Sequence, residues 1–161
     1  SVMIAPTVNS YKRLCPGAWA PINMTWGVEN RTTAFRAIRG DSSSQRIENR
    51  LPGADSNPYL ALAATLGAGF LGIKEQLLPT PETIGGAYDL EVEQKYQVPN
   101  DLKQAAYLFK NSESAKNLFG EKFVEHFSNT RIWEYDEYLK NKKLFDSSIT
   151  SWELQRYFEI I

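Results

Sequence analysis

The spacing of apolar positions changes about a third of the way along the chain. Over the first sixty residues they come in short runs cut by turn residues: Pro16-Gly17, Pro21, Gly27, Gly40-Asp41 followed by three serines, and Pro52-Gly53. Between these breaks, 22–26, 32–38 and 45–51 have strand length, and the first two carry β-branched or aromatic residues. The third alternates most clearly, sending Ile47 and Leu51 to one face and Arg46, Glu48 and Arg50 to the other. Arg36 shares its parity with Ala34 while Phe35 points the opposite way, which predicts Arg36 facing a cleft and Phe35 facing the core.

Beyond residue 56 the period becomes helical. Asn57 can cap, Pro58 suits a first helical position, and 59–77 is rich in Leu and Ala. Gly67, Gly69 and Gly72 each cost such a helix ~1 kcal/mol relative to Ala, so they predict a helix pressed tightly against a sheet. Residues 78–100, with Pro79, Pro81, Gly85-Gly86 and Pro99, read as a long connection of the kind that is functional or interfacial. Helices are predicted over 101–111, 114–120, 121–140 and 150–161. Phe119, Phe123 and Phe127 form a stripe for burial, and Thr150-Ser151-Trp152-Glu153 fits a capping box. Strands first and helices afterwards make the class α+β, with antiparallel strands followed by packed helices. A strand-rich segment spans 1–56 and a mostly helical one spans 57–161.

Composition narrows the function classes. With 42% hydrophobic residues in 161 there is material for a core, so disorder is not expected. Eighteen basic against 19 acidic side chains leave a net charge of -1, which calls for neither nucleic acid nor an anionic membrane. Cys15 stands alone and cannot form an internal disulfide, and no apolar run approaches the ~20 residues that span a bilayer. A cytoplasmic location is the simplest expectation. The chain opens without Met inside an apolar stretch, which reads as a piece of something larger.

Charge is unevenly spread. Residues 1–60 carry seven Lys and Arg against four Asp and Glu, and the five basic residues between 16 and 60 are all Arg. That bias favours forked recognition of an anion over simple solvation. In Arg46-Ile47-Glu48-Asn49-Arg50, two permanently charged guanidiniums flank a carboxylate; they can grip phosphate or carboxylate while the Glu coordinates a divalent cation. An isolated pattern of this kind is more simply a self-neutralising strand face. Arg13, Arg31 and Arg36 upstream make it less isolated.

With these residues in place, the sequence resembles the C-terminal part of the glutamine synthetase catalytic domain, nearest the type I branch. The resemblance rests on Pro6-Thr7-Val8-Asn9-Ser10-Tyr11-Lys12-Arg13-Leu14, Asn30-Arg31-Thr32 leading to Arg36, Arg46-Ile47-Glu48-Asn49-Arg50, and Ser56-Asn57-Pro58-Tyr59-Leu60-Ala61. Order and spacing hold from about residue 5 to 76; the middle helices match loosely, and 152–158 looks like the end of related chains. The resemblance implies that Arg13 and Arg50 hold the substrate glutamate's carboxylate, and that Arg31 steadies the transferring phosphoryl group. It implies that Arg36 and Arg46 meet the ATP phosphates and nucleotide, and that Glu48 is a metal ligand. It implies a ligase using ATP and Mg2+ (or Mn2+) that forms γ-glutamyl phosphate and joins glutamate to an amine. In the full-length protein it implies a homo-oligomer of stacked rings.

Two departures qualify it. Where ammonium-using members carry an acidic residue in the flap, this chain reads Pro16-Gly17-Ala18-Trp19-Ala20-Pro21. Trp19 cannot take a proton from ammonium and offers an apolar or cation-π surface, which favours a larger amine. The alternative is a catalytically inactive structural member of the family, of the lengsin type. Second, the family's other metal ligands lie upstream, as does its N-terminal β-grasp domain, so these residues alone should not catalyse. His126 reads as a packing or surface residue, and Cys15 as an inert thiol. Tyr88 falls in a region adenylylated in some bacterial members, but the surrounding loop differs and no modification is expected. Trp152, Tyr157, Phe158, Ile160 and Ile161 supply apolar content for a contact between subunits.

Overall fold

The computed structural model describes residues 1–142 and 144–159. The chain folds as two compact units that interleave in sequence: residues 1–12, 53–57 and 99–161 form one, and 13–52 with 58–98 the other. The arginine-rich motifs all belong to the second unit, apart from the first turn of the helix that leads into Arg13.

The first unit is helical. Helix α1, Val8–Arg13, buries Val8, Ser10 and Tyr11. After α2, Pro58–Lys74, which belongs to the second unit, come the other helices of the first: α3 Leu102–Lys110, α4 Glu113–Phe119, α5 Glu121–Asn141 and α6 Ser151–Tyr157. Their starts follow local chemistry. Asp101 accepts from the Gln104 N–H, Ser112 from Ala115, and Thr150 from Glu153, whose carboxylate returns to the Thr150 N–H in the expected capping box. Val2, Val8, Leu102, Ala106, Val124 and Tyr138 are buried to 1% exposure or less. The phenylalanine stripe packs ring to ring but is only half-buried: Phe123 stacks on Phe127 at 5.5 Å, and Phe109 lies 6.3 Å from both Phe119 and Phe127. His126 is exposed. Trp152 and Tyr157, half-buried, pack ring to ring at 5.7 Å, with Trp152 also on Tyr138. Phe158 is 80% exposed, while Ile160 and Ile161 lie outside the described residues.

The second unit holds a sheet in the order β1-β2-β3: Trp26–Val28, Phe35–Ile38 and Arg46–Asn49. β2 and β3 lie within the predicted 32–38 and 45–51 and are shorter, whereas β1 shares only Trp26 with the predicted 22–26 and runs on to Val28. The β2–β3 pair is antiparallel, with Arg36 opposite Glu48. The β1–β2 pair is parallel, contrary to the all-antiparallel expectation, because the chain loops out after Val28 and re-enters in register with Trp26 opposite Phe35. The edge beyond β1 is taken by the 78–98 segment. Thr83 N–H donates to Trp26 O, the Trp26 indole to Thr80 O, Val28 N–H to Glu82, and Met24 N–H to Tyr96 O. That long connection is therefore stitched down by backbone and side-chain bonds that its irregular sequence does not announce.

Helix α2, Pro58–Lys74, starts where Pro58 predicts, but it is not pressed against the sheet: none of its residues is buried. Tyr59, Leu62, Leu66, Phe70 and Ile73 are each more than 60% exposed, and a Cβ added at Gly69 or Gly72 would meet nothing within 4 Å. The glycines do not mark a close approach within this unit. Ile47, which alternation puts on the same strand face as Leu51, is likewise 75% exposed while Leu51 is buried. The faces of β3 and α2 that carry these apolar residues have no covering layer among the described residues, and α2 meets β3 through a polar bond from Asn49 Nδ2 to Thr65 Oγ1 at 3.0 Å.

Candidate functional site

The site grows from the β2–β3 pairing. Register places Arg36 directly across from Glu48, and period 2 brings Arg50 to the same side two residues later. Arg50 Nη1 donates to Glu48 Oε1 at 2.7 Å, and Arg36 Nη1 approaches Glu48 Oε2 at 3.3 Å. Arg36 Nη2 reaches Glu29 Oε2 at 2.5 Å. Four side chains thus alternate in sign along one chain of ion pairs, Glu29–Arg36–Glu48–Arg50. The guanidiniums are 15% and 17% exposed, and both Nε–H groups are buried without a hydrogen-bond acceptor. Such donors carry a desolvation cost that an anion accepting from them removes.

The electrostatics follow the geometry. The hydrogen bond from Arg50 holds the Glu48 carboxyl below its ordinary pKa, against the opposing effect of burial, with the Arg50 and Arg36 charges adding to it. Glu29 is lowered chiefly by its hydrogen bond from Arg36, and Arg36 is raised chiefly by Glu29 in return. Both carboxylates are anionic at neutral pH.

Backbone contacts lock the surroundings. Arg13 donates from Nη1 to Leu51 O and from Nη2 to Arg50 O, each at 2.9 Å, fixing the exit of β3. Arg50 Nη2 reaches the carbonyl of Trp19 at 3.2 Å, which ties the flap to the ion-pair chain. Trp19 itself stands 75% exposed with φ 53°, so the indole is presented on a strained turn rather than packed away. Arg31 sits on the β1–β2 loop, exposed and outside the ion-pair chain. Its neighbour Asn30 is rigid. The Asn30 amide donates to Thr83 O at 3.0 Å and Gly85 O at 2.8 Å, while its oxygen accepts from Thr32 N–H and Oγ. Gly27 is required beneath it, since a Cβ there would fall 2.8 Å from Thr83 O. Arg46 lies at the far end of β3 opposite Ile38, bonded to Ser44 O and exposed.

Of the seven residues singled out from the sequence, the fold brings Arg36, Glu48 and Arg50 into one group, with Arg13 and Trp19 attached through carbonyls of the main chain; Arg31 and Arg46 stand apart. Sequence reasoning missed Glu29, whose only signal was a carboxylate preceding Asn30-Arg31. It also missed Thr83 and Thr32, which fasten the Arg31 loop. The Tyr88 hydroxyl is buried without a partner, a poor position for modification.

The residues present fit a phosphate-bearing or carboxylate ligand, on the strength of the two unsatisfied buried Nε–H donors. They do not by themselves fit a divalent cation. Both Glu48 oxygens face arginines, and no three His, Cys, Asp or Glu side chains gather to hold a metal among the described residues.

Comparison with known proteins agrees with this geometry. The family described as "Glutamine synthetase, catalytic domain" matches residues 1–157. A glutamate–isopropylamine ligase of Pseudomonas sp is 41% identical over all of this chain and 34% of its own length. A gamma-glutamylethanolamide synthetase of Streptomyces coelicolor is 45% identical over 99% of this chain and 32% of its own. A type-1 glutamine synthetase of Dictyostelium discoideum is 43% identical over 98% of this chain and 29% of its own. The chain spans about a third of the length of these relatives. On the strength of a family match running almost from end to end, the chain belongs to the glutamine synthetase family and carries the C-terminal part of its catalytic domain.

Proposed function

We propose that this chain is part of an ATP-dependent ligase that activates the γ-carboxyl of glutamate and joins it to an amine larger than ammonia. The observation that carries the reading is the half-buried Arg36–Glu48–Arg50 group with two unspent Nε–H donors. Trp19 in the flap supports the larger amine. So do the relatives, two of which are named for isopropylamine and for a gamma-glutamylethanolamide.

In this reading a glutamate carboxylate oxygen attacks the γ-phosphorus of ATP and the bond to ADP breaks. The amine nitrogen then attacks the acyl carbon, phosphate leaves, and the nitrogen loses a proton. Arg36 offers its Nε–H to a phosphate oxygen, with Arg46 available to the nucleotide. Arg31, unpaired by any carboxylate in the ion-pair chain, is free to follow the charge that builds on the transferring phosphoryl group. Arg50 offers its Nε–H to the substrate carboxylate. Arg13, whose Nη groups hold main-chain carbonyls, acts on that carboxylate by giving up one of those bonds, and otherwise positions Arg50. The indole of Trp19 excludes water and receives the alkyl part of the amine. Mg2+ or Mn2+ belongs to the whole protein, in which Glu48 would contribute one ligand once released by an arginine. A homo-oligomer and a cytoplasmic location, where ATP and glutamate are supplied, complete the proposal.

The test is ADP and γ-glutamyl amide formation by the full-length gene product with glutamate, ATP and a panel of ammonium, ethanolamine and isopropylamine. Faster turnover with an alkylamine than with ammonium is expected. Ammonium as the best acceptor would overturn the amine assignment. Absence of product with every amine, together with absence of ATP binding, would favour the structural, inactive reading.

A further inference from the structure

Glu29 follows β1 with φ 51°, in the left-handed region that residues bearing a Cβ rarely adopt. From there it makes three bonds to β2 and its exit. Its N–H donates to Ala37 O at 2.9 Å, its Oε2 accepts from Arg36 Nη2 at 2.5 Å, and its Oε1 accepts from the Arg39 N–H at 3.1 Å. Arg36 has a second carboxylate within reach, Glu48, at the looser distance of 3.3 Å. A guanidinium facing one carboxylate alone tends to close on it through two parallel N–H bonds. Such closure between Arg36 and Glu48, through Nη1 and Nη2, would turn the guanidinium tip wholly onto Glu48. The tighter grip of Glu29 prevents it, because Nη2 is already taken from the opposite side.

We propose that Glu29 is a positioning residue: it draws Arg36 away from Glu48, so that the guanidinium is set between two carboxylates for a phosphate-bearing ligand and Arg36 holds Glu48 only lightly. The identification of that ligand as ATP rests on the functional reading above; the positioning of Arg36 does not. Glu29 is half exposed and bonded at an unusual backbone angle, so neither burial nor chain geometry accounts for its side-chain bonds.

A contrary role is physically reasonable and has the opposite sign. If Glu29 merely neutralised Arg36, removing it would strengthen the attraction for an anion. The experiment is therefore Glu29→Gln, Glu29→Ala and Glu29→Asp in the full-length protein. Positioning predicts that Gln and Ala raise KM for ATP roughly five- to tenfold while kcat changes less than about threefold, as loss of one charge-assisted bond would. Asp, which keeps the charge, should recover part of the loss. An unchanged or lowered KM for ATP would overturn the proposal. Should the wild-type protein neither turn over nor bind ATP, the ligase reading fails, and crystal structures of wild type and Glu29→Ala decide positioning by themselves. Arg36 closing on Glu48 through two bonds in the variant supports it; Arg36 unmoved overturns it.

Discussion

Arg156 grips Glu134 fork to fork, with Nε 2.9 Å from Oε1 and Nη2 2.8 Å from Oε2, linking α6 to the middle of α5. Glu134 is 2% exposed and Arg156 is 41% exposed, so the acid depends on the base far more than the reverse. Replacing Arg156 with Ala strands a buried carboxylate. We expect a loss of about 2 kcal/mol, below the ~3–5 of a fully buried pair because Arg156 is partly solvated, and little recovery with Lys, which lacks the fork. Chemical denaturation of the two variants checks this.

The same pair sets a pH dependence. Burial would raise the Glu134 pKa, but hydrogen bonds from Arg156 and Tyr157, with the Arg156 charge, bring it out lower than the ordinary value. A carboxyl depressed in the folded state contributes stability that is fully present above its unfolded pKa of about 4.3 and is lost as pH falls through the folded value. Melting temperature should be flat near neutrality and drop below about pH 4. Glu134→Gln should flatten that acid limb at the cost of stability at pH 7.

Lys12 and Glu153 form the other buried pair, 2.6 Å apart and 5% and 3% exposed. Glu153 also closes the capping box with Thr150. Glu153→Ala removes both at once, and about 3 kcal/mol should be lost. Glu153→Gln, which can still accept at the cap, should lose less. Equal losses for the two would assign the whole effect to the charge.

Polar substitutions on α2 should cost almost nothing within this chain. Leu66→Lys and Phe70→Lys act at positions 70% and 62% exposed, so unfolding free energy of the 161-residue chain should move by less than about 0.5 kcal/mol. Self-association, read by light scattering, should fall, because a contiguous apolar stripe is being broken. A melting point lowered by more than about 4 °C would show that the stripe is covered.

In the full-length protein, Arg31→Ala should lower turnover by about 100-fold or more without changing the melting point, since the side chain is exposed and the Asn30 bonds that shape its loop are retained. Trp19→Glu should shift acceptor preference toward ammonium by restoring a carboxylate to the flap. Relative rates across the amine panel measure it.

Much of this was legible locally. Pro58, Asp101 and Thr150 marked helix starts because capping depends on a residue and its next three neighbours; the predicted start at 114 is one residue late, since the cap is Ser112. The alternation of Arg46, Glu48 and Arg50 placed three charges on one strand side for the same reason. Where the sequence misled, the cause was nonlocal. The glycines of α2 promised close packing that the covering layer, not the residue, must supply. The parallel β1–β2 pairing and the bonds fastening 78–98 to β1 depend on how distant segments return, which no period reports.

By itself the sequence determined which residue types were available, where helices begin, and that an arginine-rich strand segment belongs to the glutamine synthetase family. Tertiary structure alone decided that Arg36 is suspended between Glu29 and Glu48, that Arg13 spends its Nη groups on main-chain carbonyls, and that Arg31 and Arg46 stand outside the group. The reason is physical: a guanidinium's charge is written in its covalent structure, but its partner is whichever carboxylate or carbonyl the strand register brings within about 3 Å.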